Sequence, residues 1–219
     1  MPHLPATGWL KELSEEALFQ IETKGSFRFY QPQETVFLQE KELDNYYIVV
    51  SGLANAYHQN DEGKRWIVSL FSKGDLFPHV GLINDEHVYP ANSETLSTCT
   101  LFVIRRDEMN TIFASYPEIR LHLTLFLTEK SRELMDRFSD SILGTAADRM
   151  ISFLKKLAIH SGIRKTDGRY LINLGLTEQY IAEYIGVTPE TVSRVLNKLY
   201  AEGRAEKIGR KKLLIRLKE

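Results

Sequence analysis

A single cysteine, Cys99, stands among 219 residues. No intrachain disulfide and no cysteine-held cluster can form from it. Cys99 falls in the run TCTLFVI, which reads as a strand, so a buried, inert thiol is the expectation. No apolar run approaches the roughly 20 residues a membrane-spanning helix needs. The opening residues, MPHLPATGWLKELSEEAL, carry no cationic region followed by an apolar stretch. A cytoplasmic location with no membrane partner is therefore expected. Catalytic constellations are missing too. There is no nucleophile beside a base, no glycine-rich phosphate loop and no pair of carboxylates in a recognisable setting. Asp75 and Glu94 read as turn and surface residues. The chain is expected not to be an enzyme. Six histidines (His3, His58, His79, His87, His122, His160) are scattered without metal-ligand spacing.

What is present divides by charge. Hydrophobic residues make up 43% of the chain, enough for a proper core. The net charge of −1 hides an asymmetry: residues 1–144 hold 13 Lys and Arg against 21 Asp and Glu, and residues 145–219 hold 15 against 8. An acidic front of −8 and a basic back of +7 point the C-terminal part toward a polyanion, nucleic acid above all.

Residues 176–217, LTEQYIAEYIGVTPETVSRVLNKLYAEGRAEKIGRKKLLIRL, organise the rest. Leu176, Ile181 and Ile185 share one side of a first helix, and Thr177 suits its N-cap. Gly186 stands where that helix must stop and reverse. Thr188 then caps a second helix, with Pro189 in its first turn, where a missing N–H costs little. Val192, Val195, Leu196 and Leu199 form an apolar stripe on the second helix. Glu190, Ser193 and Arg194, at i, i+3 and i+4, project together from another face. Those side chains suit base edges: arginine can clamp guanine O6 and N7, glutamate can accept from a cytosine amino group, and serine is permissive. Gly203 ends the helix. Residues 205–208 and 212–216 read as strands joined at Gly209-Arg210-Lys211, a basic hairpin suited to phosphate contact. The competing reading is a helical hairpin that packs internally or against a protein partner.

Upstream, residues 9–22 carry Trp9, Leu10, Leu13, Leu18 and Ile21 between acidic positions, which predicts one short amphipathic helix. From residue 26 to 105 short apolar runs alternate with turn residues, the pattern of a barrel or sandwich. Residues 107–143 read as helical, with Pro117 separating a short helix from a long one. Along the long helix Leu123, Leu127, Leu134, Phe138 and Ile142 recur at spacings of 4, 7, 4 and 4, a seam fit for a parallel two-helix homodimer. The alternative is a helix that packs only on its own chain. Residues 144–147 read as a hinge, 149–161 as a further helix and 162–173 as a loop.

The segment YYIVVSGLANAYHQNDEGKRWIVSLFSKGDLF resembles the β-roll of the cyclic-nucleotide-binding-type domain, with Gly52, Gly63 and Gly74 where that fold turns. A β-roll, a long helix and a winged helix in this order are similar to the CRP/FNR family of bacterial transcription regulators. GVTPETVSRVL is the most specific part of the resemblance, which covers nearly the whole chain. It implies an α+β fold: an N-terminal β-roll sensor domain with flanking helices (1–116), a long dimerisation helix (117–143) and a C-terminal winged helix-turn-helix (144–219). It implies base reading by Glu190, Ser193 and Arg194. Glu-x-x-Ser-Arg is closer to the FNR branch than to the CRP branch, which implies a palindrome of TTGAT-like half-sites with Arg194 on the guanine. Thr177, Gln179, Thr188 and Arg210 match phosphate-contact positions, and Lys198 joins them on charge alone. The implied partners are double-stranded DNA, a second copy of the chain and RNA polymerase, the last through loops near residues 59–66 and 163–170.

The sensor half departs from the family pattern. Where cyclic-nucleotide pockets carry Gly-Glu and then Arg-Ser/Thr, this chain has Pro78-His79 and Tyr89-Pro90. Tyr89 cannot neutralise a cyclic phosphate, and Pro90 has no N–H to offer. Binding of cAMP is not expected, and one cysteine excludes the FNR iron–sulfur cluster. His79 falls near the haem histidine of carbon-monoxide-sensing relatives, and Pro2 resembles their N-terminal proline ligand. Haem, another small effector, or no ligand at all therefore stay open. So do two alternatives to the regulator reading: a haem-dependent gas sensor, and a DNA-silent interaction module that keeps the fold.

Overall fold

The computed structural model describes residues 3–82, 86–173, 176–209 and 212–217. Its contacts divide the chain into two compact units, Met1–Arg132 and Glu133–Glu219. In the first, the short apolar runs are the strands β1 (Gly25–Tyr30), β2 (Thr35–Phe37), β3 (Asn45–Ser51), β4 (Ala54–Gln59), β5 (Arg65–Phe71), β6 (Leu76–Phe77), β7 (Asn92–Thr95) and β8 (Cys99–Arg105). They make two antiparallel four-stranded sheets, ordered β1-β8-β3-β6 and β2-β7-β4-β5. Because side chains alternate along a strand, register decides what meets what. Tyr47 sits opposite both Val103 and Phe77, and Phe71 sits opposite Ala54. The rings collect in the core. Tyr89 stacks on Phe37 at 4.0 Å, Phe37 meets Phe77 at 6.0 Å, and Phe77 stacks on Phe71 at 4.3 Å. Each such ring buried is worth about 1.5–3 kcal/mol. Burial also pushes the phenol of Tyr46 up to about 12 and raises the Cys99 thiol, so both stay protonated at neutral pH.

The N-terminal segment is two helices rather than the single one expected. A 3-10 turn covers Gly8–Glu12, and α1 covers Glu15–Lys24. Ser14 causes the break: its hydroxyl accepts the Ala17 N–H at 3.2 Å and so starts a new helix. Two helices follow β8, α2 (Arg106–Ser115) and α3 (Pro117–Leu143). Ile119, Leu123 and Phe126 of α3 join the core of the first unit, and Lys130 pairs with the buried Asp75 at 2.7 Å.

In the second unit, α4 (Ala146–Ser161) is followed by β9 (Ile163–Arg164), β10 (Tyr170–Asn173), α5 (Glu178–Ile185), α6 (Pro189–Ala201), β11 (Ala205–Ile208) and β12 (Lys212–Ile215). Two expectations need correction. The stretch expected as a hinge at 144–147 is non-helical only at Gly144 and Thr145, because Thr145 and Asp148 form a reciprocal capping box that pulls Ala146 and Ala147 into α4. The expected loop at 162–173 holds two strands, since β10 pairs with β12 and with β9 in a sheet ordered β11-β12-β10-β9. Among the described residues no helix is long and apolar enough to cross a membrane.

The capping box carries a testable cost. Thr145→Ala should lower the urea-unfolding stability of the second unit by about 1 kcal/mol. An unchanged midpoint would show that α4 does not depend on its cap.

Candidate nucleic-acid interface

Local signals build the recognition element. Thr177 caps α5 by accepting the Tyr180 N–H at 3.1 Å. Tyr180, Ile181, Ala182, Tyr184 and Ile185 are buried, with the Tyr184 ring 4.4 Å from that of Phe153 on α4. Gly186 ends the helix in the left-handed region (φ 69°, ψ 45°), which costs a residue without Cβ little. The Gly186 and Val187 N–H groups both donate to the Ala182 carbonyl, at 2.9 and 3.1 Å, and so close the turn. Thr188 then caps α6, accepting from the Thr191 N–H at 3.4 Å, with Pro189 in the first turn.

On α6, Val192, Leu196 and Leu199 are buried, and Val195 is only half-buried. Glu190 and Arg194 are exposed and Ser193 is half-buried, so the three stand on the side away from the stripe. Arg194 forms no ion pair with the described residues. The Glu190 carboxyl lies below its ordinary range, because its own backbone N–H and the Thr188 hydroxyl donate to it; it remains an ionised acceptor at neutral pH. Asn197, which sequence reasoning passed over, continues the exposed face one turn beyond Arg194. Its position at i+3 from Arg194 was the available signal.

The phosphate candidates fall into three groups. Thr177 and Thr188 are exposed caps whose hydroxyls accept from backbone N–H groups; the Thr177 O–H can be donated outward, whereas the Thr188 O–H is given to Glu190 and would have to be exchanged for a phosphate. Gln179 donates to Glu183 at 2.8 Å, and Lys198 lies 3.9 Å from Glu202, so each would exchange an intrahelical partner for a phosphate. Arg210 lies outside the described residues. The strands beneath that hairpin are braced by Arg169, which bonds Asp167 at 2.7 Å and Glu206 at 3.0 Å.

The expected seam needs a correction at its start. Leu123 is 1% exposed and belongs to the core of its own unit, so it is not free to face a partner; Leu127 packs against that core and stays half-buried. Leu134, Phe138 and Ile142 are 48, 61 and 65% exposed, and Leu121, Leu125 and Met135 add apolar surface to the same helix.

The four sensor residues have different surroundings. Tyr89 is a core residue: its ring lies flat on Phe37, and its hydroxyl donates to the Asn45 carbonyl and accepts from the Asn45 N–H, both at 3.2 Å. Pro78 is buried and Pro90 exposed. His79 meets Phe71 and Phe126 edge-on at 5.8 and 5.6 Å. Between the rings of Tyr89 and His79 the contacts run through Phe37, Phe77 and Phe71. Pro2 lies outside the described residues. Asp75 closes the 72–75 turn as expected, its N–H donating to the Ser72 carbonyl at 2.9 Å, whereas Glu94 differs from its surface reading. Asp75 is buried against Lys130, the Ser72 N–H and the Ser72 hydroxyl, and Glu94 is half-buried against Arg65.

Residues 27–116 match the cyclic nucleotide-binding domain family, and residues 148–219 match the Crp-like helix-turn-helix domain family. The chain is 29% identical over 183 residues to the nitrogen fixation regulation protein FixK of Azorhizobium caulinodans, covering 83% of this chain and 71% of that protein. It is 28% identical over 196 residues to the transcriptional activator protein FnrL of Cereibacter sphaeroides, covering 86% and 75%. Among solved structures, FixK2 from Bradyrhizobium japonicum has the same fold, with a TM-score of 0.78 at 20% identity over 88% of this chain and 93% of that one.

Proposed function

We propose how this chain, which belongs to the CRP/FNR family of DNA-binding transcription regulators, reads its site: as a homodimer on a palindrome with TTGAT-like half-sites. The observation that carries the reading is the outward presentation of Glu190, Ser193 and Arg194 from a helix whose opposite stripe is buried. Arg194 would clamp the guanine, Glu190 would accept from a cytosine amino group, and Ser193 would tolerate its neighbours. Thr177, Gln179, Thr188, Lys198 and Arg210 would hold phosphates and set the register. Two copies are needed because a palindrome repeats its half-sites about one helical turn apart. The exposed Leu134, Phe138 and Ile142 offer the apolar face for pairing.

Cyclic nucleotide is not the effector in this reading. The position that should supply an arginine is Tyr89, and that side chain is committed to Phe37 and Asn45. In the cytoplasm the bound dimer would present its surface loops to RNA polymerase and act on transcription rather than on a chemical substrate.

Selection from a random duplex pool tests the reading. The full chain, without additions, should enrich a TTGAT-type palindrome and bind it with two chains per duplex, and affinity should fall steeply as salt rises. Recovery of no motif, with or without extract of the host cell, would leave the interaction-module reading in its place.

A further inference from the structure

We infer that Arg137, near the C-terminal end of α3, is a positioning residue that fixes the helix-turn-helix against the helix on which two copies pair. The inference rests on the DNA reading proposed above and adds a residue to it. Within the Glu133–Glu219 unit, α3 contributes Glu133 and Arg137, one turn apart on one side of the helix. Glu133 pairs with Lys156 of α4 at 2.6 Å. The Arg137 Nη2 donates to the Tyr184 carbonyl oxygen at 3.2 Å, and its guanidinium carbon lies 4.2 Å from the centre of the Tyr184 ring.

The place of that carbonyl gives the contact its meaning. A helix leaves its last four carbonyls without intrahelical partners. At the end of α5 the Ala182 carbonyl is taken by the Gly186 and Val187 N–H groups, which form the turn itself. Arg137 takes the Tyr184 carbonyl, two residues before Gly186. A cation there also meets the negative end of the helix dipole. The Tyr184 ring under the guanidinium is buried and packs on Phe153 of α4. Arg137 therefore joins α3 to the point from which α6 departs. Its sequence neighbour Phe138, and Leu134 one turn back, are the exposed apolar residues offered for pairing. The same two turns of α3 thus carry the pairing face and hold the reading unit. In a dimer this joint sets the distance between the two α6 helices, which must match half-site spacing.

Half-site spacing supplies the test. Arg137→Met keeps an apolar stem over the Tyr184 ring and removes the donor and the charge; Arg137→Lys keeps the charge and one donor. Full-length parent and both variants are titrated with the selected palindrome, with versions whose spacer is one base pair longer or shorter, and with DNA carrying one half-site. Arg137→Met should lose about tenfold on the native palindrome, the weight of one hydrogen bond from a charged donor. It should lose nothing measurable on the single half-site and show a flattened preference among spacers. Arg137→Lys should recover most of the loss. Equal loss on palindrome and half-site would make the arginine merely structural and overturn the inference, as would no loss on either. A parent that cannot tell the palindrome from random DNA would instead remove the reading beneath it, and that outcome is seen in the parent alone.

Discussion

Arg194→Ala should bind the matched palindrome about 5- to 150-fold more weakly than the parent, a loss of about 1–3 kcal/mol, and should stop preferring guanine at the contacted position. The size follows from what the side chain does at present. Arg194 is exposed and pairs with no carboxylate among the described residues, so it brings its full donor fork to a base edge without breaking an internal contact. Its direction is set by backbone features that the substitution leaves alone: the Thr188 cap, Pro189 in the first turn and the buried stripe of Val192, Leu196 and Leu199. Folding stability should therefore stay within about 0.5 kcal/mol of the parent, so any loss of binding belongs to the interface. Fluorescence anisotropy on the matched duplex and on one with the guanine replaced separates the two effects. The parent should discriminate between the duplexes and the variant should not. Equal affinity and equal discrimination in parent and variant would remove Arg194 from base reading.

The residues of this element were legible in the sequence because their signals are local. Thr177, Gly186, Thr188 and Pro189 each act on N–H and carbonyl groups within five residues of themselves, and the structure places every one at the helix end its chemistry favours. What could not be read depends on partners far along the chain. The strand at Tyr170–Asn173 exists because β12, some forty residues later, pairs with it. Helical spacing put Leu123 on a stripe with Phe138, yet spacing cannot say what covers each part. The core of the first unit takes Leu123 and leaves Phe138 exposed. An ungapped reading sets Tyr89 in the slot of a missing arginine, but its commitment to Phe37, fifty-two positions earlier, is a tertiary fact. Asp75 reads as a turn residue and is one, but its pairing with Lys130 was hidden for the same reason, since Lys130 stands on another element.

The largest stability effect belongs to a glycine far in sequence from the reading helix. Gly52→Ala should destabilise the Met1–Arg132 unit by about 3 kcal/mol or more, whereas Gly186→Ala should cost only about 1–2 kcal/mol. Both positions have positive φ, at 87° and 69°, so both variants pay a similar conformational penalty. They differ in space. A Cβ on Gly52 would lie 2.4 Å from the Thr98 carbonyl oxygen, 2.6 Å from the Cys99 sulfur and 2.9 Å from the Cys99 Cα, whereas nothing lies within 4 Å of one on Gly186. The atoms in the way at Gly52 are mostly backbone and cannot rotate aside. They are also tied down: the Leu53 N–H donates to the Ser97 hydroxyl at 3.0 Å, the Leu96 N–H donates to the Leu53 carbonyl at 2.8 Å, and the Cys99 thiol donates to that carbonyl at 3.0 Å. Relieving the clash means pulling the β3–β4 turn off the start of β8 and breaking that set together. Urea unfolding of the two variants beside the parent reads the difference directly. If Gly52→Ala cost no more than Gly186→Ala, the close approach at this turn would have room to relax, and φ alone would account for both.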